Sequence, residues 1–507
     1  MTRPSVAIRK SFWKAWAATS LVILIPTLVL AFETEDARVL LEQYEESPRA
    51  FMARSPSSGA LGNPEAELAD PELIKAKSEA RQAILDAAGL VARSESQEKL
   101  ENILDGQILR DPAEIDHLGL QSGTVLGETW SSSVWNMYRG HSAQRYALKR
   151  AREAKDWPTA WKFASKRGRA FADIVREGDP KAIDQLSPAE KYDLLIGRID
   201  ESPAGFLTRY EWGRGRSYYE QQGKVPDWFG YCHGWAPASF MVPRPERSVV
   251  LTGADGTTQI RFYPADIQAL ATVLWANALP RIRLVGGRCD ETKPKRDQSG
   301  RVISRECLDV NPATFHLALV NQIGVAKQNL LIDATYDHEV WNQPIRSYKF
   351  KYFNPQSKDV ARSFDEAVIP LEKFTKDKYR AYRSPNAVQV VGIALEVIYA
   401  QTSVPSQRDP ADSKDDRQKK ATYLYDLEID ENGHAIGGEW YQSRHPDFLW
   451  IPVKDARPTS DFESQARSSW NPSGGVPQDW RQAAKRSAEN GQPLSKIVYE
   501  LVELSRR

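Results

Sequence analysis

One stretch constrains this chain more than any other: Trp228-Phe229-Gly230-Tyr231-Cys232-His233-Gly234-Trp235-Ala236-Pro237-Ala238-Ser239. It sets a cysteine among aromatic residues and glycines, directly after the breaker cluster Gly223-Lys224-Val225-Pro226-Asp227. The residues that follow suit a short apolar helix, so the thiol is expected at a helix start. There the exposed backbone N–H groups and the helix dipole favour a thiolate. A cysteine so placed is a candidate nucleophile; the alternative is a buried thiol serving as a small apolar side chain.

The chain has 507 residues, enough for a sizeable core. Its 68 Lys and Arg stand against 67 Asp and Glu, for a formal net charge of +1. No basic excess points to nucleic acid and no acidic run to a solvating tail. The N-terminus reads as a three-part secretory signal over residues 1–31. Arg3, Arg9 and Lys10 form the basic region, an apolar run extends from about Trp16, and small residues precede Glu33. The run is short for a membrane span, so a secreted or periplasmic protein with no membrane contact after signal removal is expected.

Export permits disulfides. Cys289 and Cys307 bracket a polar segment, and a bridge closing that loop would stabilise the fold by roughly 3 kcal/mol. Cys232 is then the odd one of three. No Cys and His spacing suits zinc, so no metal or other cofactor is expected.

Along the chain, residues 32–69 read as a disordered linker and 70–184 as a helical N-terminal region, a pro-segment, docking domain or lid. Ser187-Pro188-Ala189-Glu190 is a helix start with a capping box. After Cys232 the texture turns to strands. A hairpin is expected at 248–263, a helix at 265–277, and strands at 314–322, 329–335, 388–399, 421–429 and 435–440. Residues 456–507 read as a polar tail with a terminal helix.

A thiol nucleophile needs a base and a group to orient that base. His316 near the start of one expected strand and Asp333 near the end of the next would meet if the two paired as a hairpin. Alone, His316 reads as a core histidine and Asp333 as a turn-capping acid. His233 is beside the thiol but points about 100° away on a helix. Asp337 and His338 are a second acid and base. The indoles of Trp228 and Trp235 are candidates for binding the oxyanion or the substrate. Glu428 to Glu439 comes near a calcium-loop spacing, which a tight hairpin turn explains as well.

With these residues in hand, the chain resembles the transglutaminase elicitor family. Trp228 to Ala238 is similar to its nucleophile motif. Asn311-Pro312 through Phe315-His316, and Ile332-Asp333-Ala334-Thr335, look like its His and Asp strands. Val340-Trp341-Asn342-Gln343-Pro344-Ile345-Arg346-Ser347-Tyr348-Lys349 is similar to the peptide by which plants recognise oomycete members. The resemblance covers roughly 185–455, which it marks as the catalytic domain. It implies an α+β fold with a papain-like, transglutaminase-like thiol core, in which the cysteine helix packs on an antiparallel sheet. It also implies protein-glutamine γ-glutamyltransferase activity. Cys232 would attack a glutamine side chain, His316 would serve as base and then acid, and Asp333 would orient it. A lysine or polyamine amine would accept the acyl group. A thiol peptidase or glutamine deamidase on the same triad, or a non-catalytic surface binding protein, are the competing readings.

Overall fold

Runs of β-branched and aromatic residues build a sheet whose main path has seven strands. These are β1 Ile282–Gly286, β2 Leu330–Asp333, β3 Asn342–Phe353, β4 Gln389–Gln401, β5 Arg417–Ile429, β6 Ala435–Gly437 and β7 Phe448–Pro452. Their spatial order is β6-β5-β4-β3-β2-β7-β1, and each neighbouring pair is antiparallel. The structure, a computed structural model, describes residues 32–52, 98–287, 295–298, 301, 303, 310–334, 341–442 and 445–507. The expected hairpin forms a separate two-stranded sheet, Val249–Thr252 with Gln259–Phe262.

The two faces of the main sheet are covered by different helices. Leu284, Leu331 and Trp450 belong to a core shared with helices Cys232–Met241, Pro264–Asn277 and Ser495–Arg506. Val285, Ile332 and Leu449, the alternate residues of the same strands, belong to a second core with helix Pro312–Leu319. Within β3 the parity switches at a bulge between Ile345 and Ser347. Segment 125–129 crosses there, with Val125 N–H donating to Arg346 O at 3.0 Å and Arg346 Nη1 to Thr129 O at 3.1 Å. Past the bulge, Tyr348, Phe350 and Tyr352 all face the second core.

Several expectations hold. Ser187 caps helix Pro188–Ile196 with the capping box complete, and the helix expected at 265–277 is Pro264–Asn277. The run at 314–322 does not form a strand. Asn311 Oδ1 accepts the Ala313 N–H at 2.9 Å and Pro312 takes the first helical position, giving helix Pro312–Leu319 and a π-helical turn, Val320–Val325. Every residue of that helix is buried, so the run has no polar period by which helix and strand can be told apart.

The expected domain boundaries are also redrawn. Residues 34–46 and 48–52, placed in a disordered linker, form helices Thr34–Glu46 and Pro48–Met52. Leu40, Leu41, Tyr44 and Phe51 pack there against Phe353, Leu424 and Tyr441. The region expected to be helical up to 184 is largely irregular between 98 and 148, and its Trp130, Trp135 and Tyr146 lie in the core beside the cysteine helix. The polar tail is no tail: helices Gln478–Glu489 and Ser495–Arg506 bury Ala483, Ala484, Ile497, Val498 and Leu501 completely. Low average hydropathy hid a strictly one-sided pattern. Phe32–Arg507 is one compact unit with no break at 185 or 455. The expected signal, residues 1–31, and the cysteines Cys289 and Cys307 lie outside the described residues.

Candidate active site

Local sequence sets Cys232 where it is. Helix Leu207–Gln222 ends at Gly223, whose φ of 72° suits glycine. The chain then runs through Pro226 and Asp227 to Tyr231, which caps a new helix whose first residue is Cys232. Two motif glycines allow close approach. A Cβ on Gly230 would sit 2.5 Å from Val134 O, and one on Gly234 would collide with Thr272 O and the Ala276 methyl of helix Pro264–Asn277. Helix Pro264–Asn277 packs in turn on helix Ser495–Arg506. The cysteine helix is thus pressed backbone to backbone onto a buried neighbour.

The sulfur faces the ends of β2 and β3. Asn342 Nδ2 lies 3.5 Å from Cys232 Sγ, and Asn342 Oδ1 accepts the Trp450 indole N–H at 2.8 Å. An indole can only donate, so it fixes which end of the amide turns to the sulfur. Asp333 is the register partner of Asn342 and projects to the same face. Its Oδ1 accepts the Trp341 N–H at 2.9 Å. Asn342, Asp333 and Trp450 are all fully buried.

Burial pushes the Cys232 thiol up; the Asn342 amide pulls it down, and the Asp333 charge adds to the rise. A helix N-terminus contributes about 0.3–1 kcal/mol, whereas full burial shifts a pKa by up to about 3–5 units at 1.36 kcal/mol each. Desolvation wins. Cys232 as a residue is 8 % exposed, and its resting sulfur is a thiol rather than the thiolate expected from its helix position. Chemistry at this site therefore requires a base to take the proton. A cleft of ≈ 390 Å³ opens between Asn311, Glu439, Trp440 and Arg301, and Cys232 does not line it.

His316 is elsewhere. It sits on helix Pro312–Leu319, fully enclosed, with Nδ1 2.8 Å from Tyr425 Oη and its ring edge-on to Phe350 at 4.7 Å. Phe350 and Tyr425 belong to the second core, so the sheet stands between His316 and Cys232. Burial drives its imidazole down to about 3. The expected hairpin of His316 with Asp333 fails because one partner is a helix; Cys232 and Asp333 come together and His316 does not join them.

Trp235 is likewise not at a substrate surface. It is wholly buried, and its indole N–H donates to Trp130 O at 3.2 Å. Trp228 is half-buried against Phe229, with ring centroids 4.6 Å apart. His233 points from the sulfur toward helix Pro264–Asn277, where Ala276 accepts from it. Asp337 and His338 lie outside the described residues. The calcium-like spacing is a turn: Asp430 Oδ1 accepts the N–H groups of Asn432 and His434 at 2.9 and 2.8 Å. Among the described residues no group of three or more His, Cys, Asp or Glu could hold a metal ion. Asn342 and Trp450 were not legible as site residues. The one signal was that Asn342 lay inside the family-like segment 340–349.

Three comparisons bear on these residues. A sequence model of the transglutaminase elicitor family matches residues 98–466, wider at both ends than the resemblance read from motifs. No curated protein matches the chain. Among solved structures, the crystal structure of the GP42 transglutaminase from Phytophthora sojae is similar at 19 % identity and a TM-score of 0.48. That match covers 78 % of this chain and 99 % of the other.

Proposed function

The chain belongs to the transglutaminase elicitor family, and from that premise we propose that it is a protein-glutamine γ-glutamyltransferase with Cys232 as nucleophile. The observation that carries the reading is the juxtaposition of a helix-start thiol with an amide held toward it by Trp450. The Cys232 sulfur gives its proton to a base and attacks the carboxamide carbon of a substrate glutamine. The Asn342 amide and the Cys232 N–H are donors for the oxyanion. The base, now an acid, protonates the departing nitrogen, which leaves as ammonia, and a γ-glutamyl thioester remains. A lysine or polyamine amine then attacks the thioester, losing a proton to the base. An isopeptide bond forms and the thiol is restored.

His316 cannot reach the sulfur in this arrangement, so the base is assigned to His338, the alternative open from the sequence. Support comes from connectivity: residues 335–340 link Asp333 to Trp341 and Asn342, and the Ala334 N–H donates to Trp341 O at 3.0 Å across the mouth of that link. Asp333, at its root, is assigned the orienting role. The protein is proposed to be exported after loss of residues 1–31, with Cys289 and Cys307 bridged. Among the described residues no helix is long and apolar enough to cross a membrane.

The test is incorporation of a labelled primary amine into a glutamine-rich protein by wild type, Cys232→Ala, His338→Ala and His316→Gln. Incorporation is expected to vanish in the first two variants and to persist in the third. Hydrolysis without incorporation would move the reading to a peptidase or deamidase. Incorporation surviving Cys232→Ala would sink it. Loss of turnover in a folded His316→Gln protein would return the base to His316.

A further inference from the structure

The residue before the nucleophile is clamped by groups the reaction does not use. The Tyr231 N–H donates to Val134 O at 2.6 Å, and its carbonyl accepts from Gly234 and Trp235 at 3.1 and 2.9 Å. Its ring stacks on His141, with centroids 4.2 Å apart and planes 21° from parallel. Its hydroxyl donates to Glu211 Oε1 at 3.1 Å and accepts from Asn277 Nδ2 at 3.4 Å.

Glu211, on helix Leu207–Gln222, is 0 % exposed. Its Oε2 accepts the Ser142 N–H at 3.1 Å and lies 3.5 Å from His141 Nδ1. Burial pushes the carboxyl up to about 8 and holds the imidazole well below its ordinary value, so both are neutral at pH 7. His141 carries a φ of 48° directly after Gly140 at 85°. Left-handed backbone at a non-glycine residue stores strain and tends to gather at functional sites. The other charged or titratable groups facing Glu211 are Arg214 and Tyr210 of its own helix, with Tyr231 of the cysteine helix. His233 of that helix faces His141. Burying an acid, an imidazole and a phenol together is expensive unless their hydrogen bonds are satisfied. Here the Glu211 carboxyl and the Asn277 amide both bond one phenol, and the His141 ring stacks on it; that residue caps the helix that Cys232 begins.

We infer that Glu211 is a positioning residue for the nucleophile: buried behind the helix, it clamps Tyr231 and thereby fixes the peptide from which Cys232 projects. Its ionisation at alkaline pH leaves both accepted bonds in place and adds a negative charge at the cap of the cysteine helix, which disfavours the thiolate. The inference rests on Cys232 being the nucleophile, and not on which acyl donor or acceptor it serves.

The experiment measures the rate of iodoacetamide alkylation at Cys232, located by peptide mass spectrometry, from pH 6 to 10 in full-length wild type, Glu211→Gln and Tyr231→Phe. Amine incorporation is followed in parallel. In wild type the rise of the rate with pH should flatten above about pH 8. In Glu211→Gln, which stays neutral, it should keep rising, for a difference of roughly three- to tenfold at pH 9.5. Tyr231→Phe should lower the rate several-fold at every pH and lower kcat with little change in KM. Superimposable profiles for the three proteins would overturn the inference, as would both conservative variants failing to fold, since a positioning role requires that the fold survive them. Altered alkylation with no amine incorporation by wild type would leave the inference standing and remove the transferase reading.

Discussion

The two faces of the sheet hold the same kinds of group and use them differently. On one face a thiol, an amide, a carboxylate and an indole converge: Trp450 holds Asn342, and Asn342 faces Cys232. On the other face a histidine meets a phenol, and the pair looks only at itself among Phe315, Phe350 and Trp440. Both sets are buried. What separates them is direction. The first chain of contacts ends on an atom that can react, whereas the second closes on Tyr425. A perturbed titration is thus not by itself a mark of function, because burial alone displaces the imidazole of His316, which serves the structure.

This contrast can be broken in several ways. Asn342→Ala removes a donor from the reactive face and should lower amine incorporation by about 10²–10³-fold. A fall of less than threefold in a folded protein would strip that face of its chemical meaning.

The next effect belongs to the other face and to acid. His316 in the folded state stays neutral down to about pH 3, while in the unfolded chain it protonates near 6.5. The unfolded state therefore binds more protons, and the stability His316 permits is complete above 6.5 and drains as pH falls toward 3. At pH 4 the loss amounts to about 3 kcal/mol. At pH 7, His316→Gln should cost about 1–3 kcal/mol by urea unfolding, through the broken bond to Tyr425, with amine incorporation within about twofold of wild type. Because the variant lacks the acid penalty, the two denaturation midpoints should approach and cross as pH falls; parallel curves would show that His316 is not neutral in the fold. The smallest effect is expected from Trp450→Phe. It releases one hydrogen bond worth about 0.5–1.5 kcal/mol, a loss of up to about tenfold in turnover with little change in alkylation of Cys232.

Much of this arrangement was legible in the residues. The glycines around Cys232 announced a helix start, the Ser187 to Glu190 capping box announced another, and β4 and β5 were visible from their apolar and aromatic content. His316 was misread because its segment is apolar throughout, and a helix buried on all sides has no polar face to betray its period. The central strand β3 was missed for the opposite reason. Its first half carries Asn342, Gln343 and Arg346, which look exposed until the packing shows them buried or bonded. The C-terminal helices were hidden by averaging: Lys, Arg and Glu on the outer face outweighed alanines and leucines on the inner one. Asn342 became a site residue only when Trp450, 108 positions away, was seen to hold it.

The absence of a Cβ at Gly234 has a consequence for synthesis. It lets the cysteine helix rest directly on helix Pro264–Asn277, which leans in turn on helix Ser495–Arg506. The brace behind the cysteine helix is therefore made long after the cysteine itself. A nascent chain that has passed Cys232 but not Ser495 carries the thiol without the support that aims it.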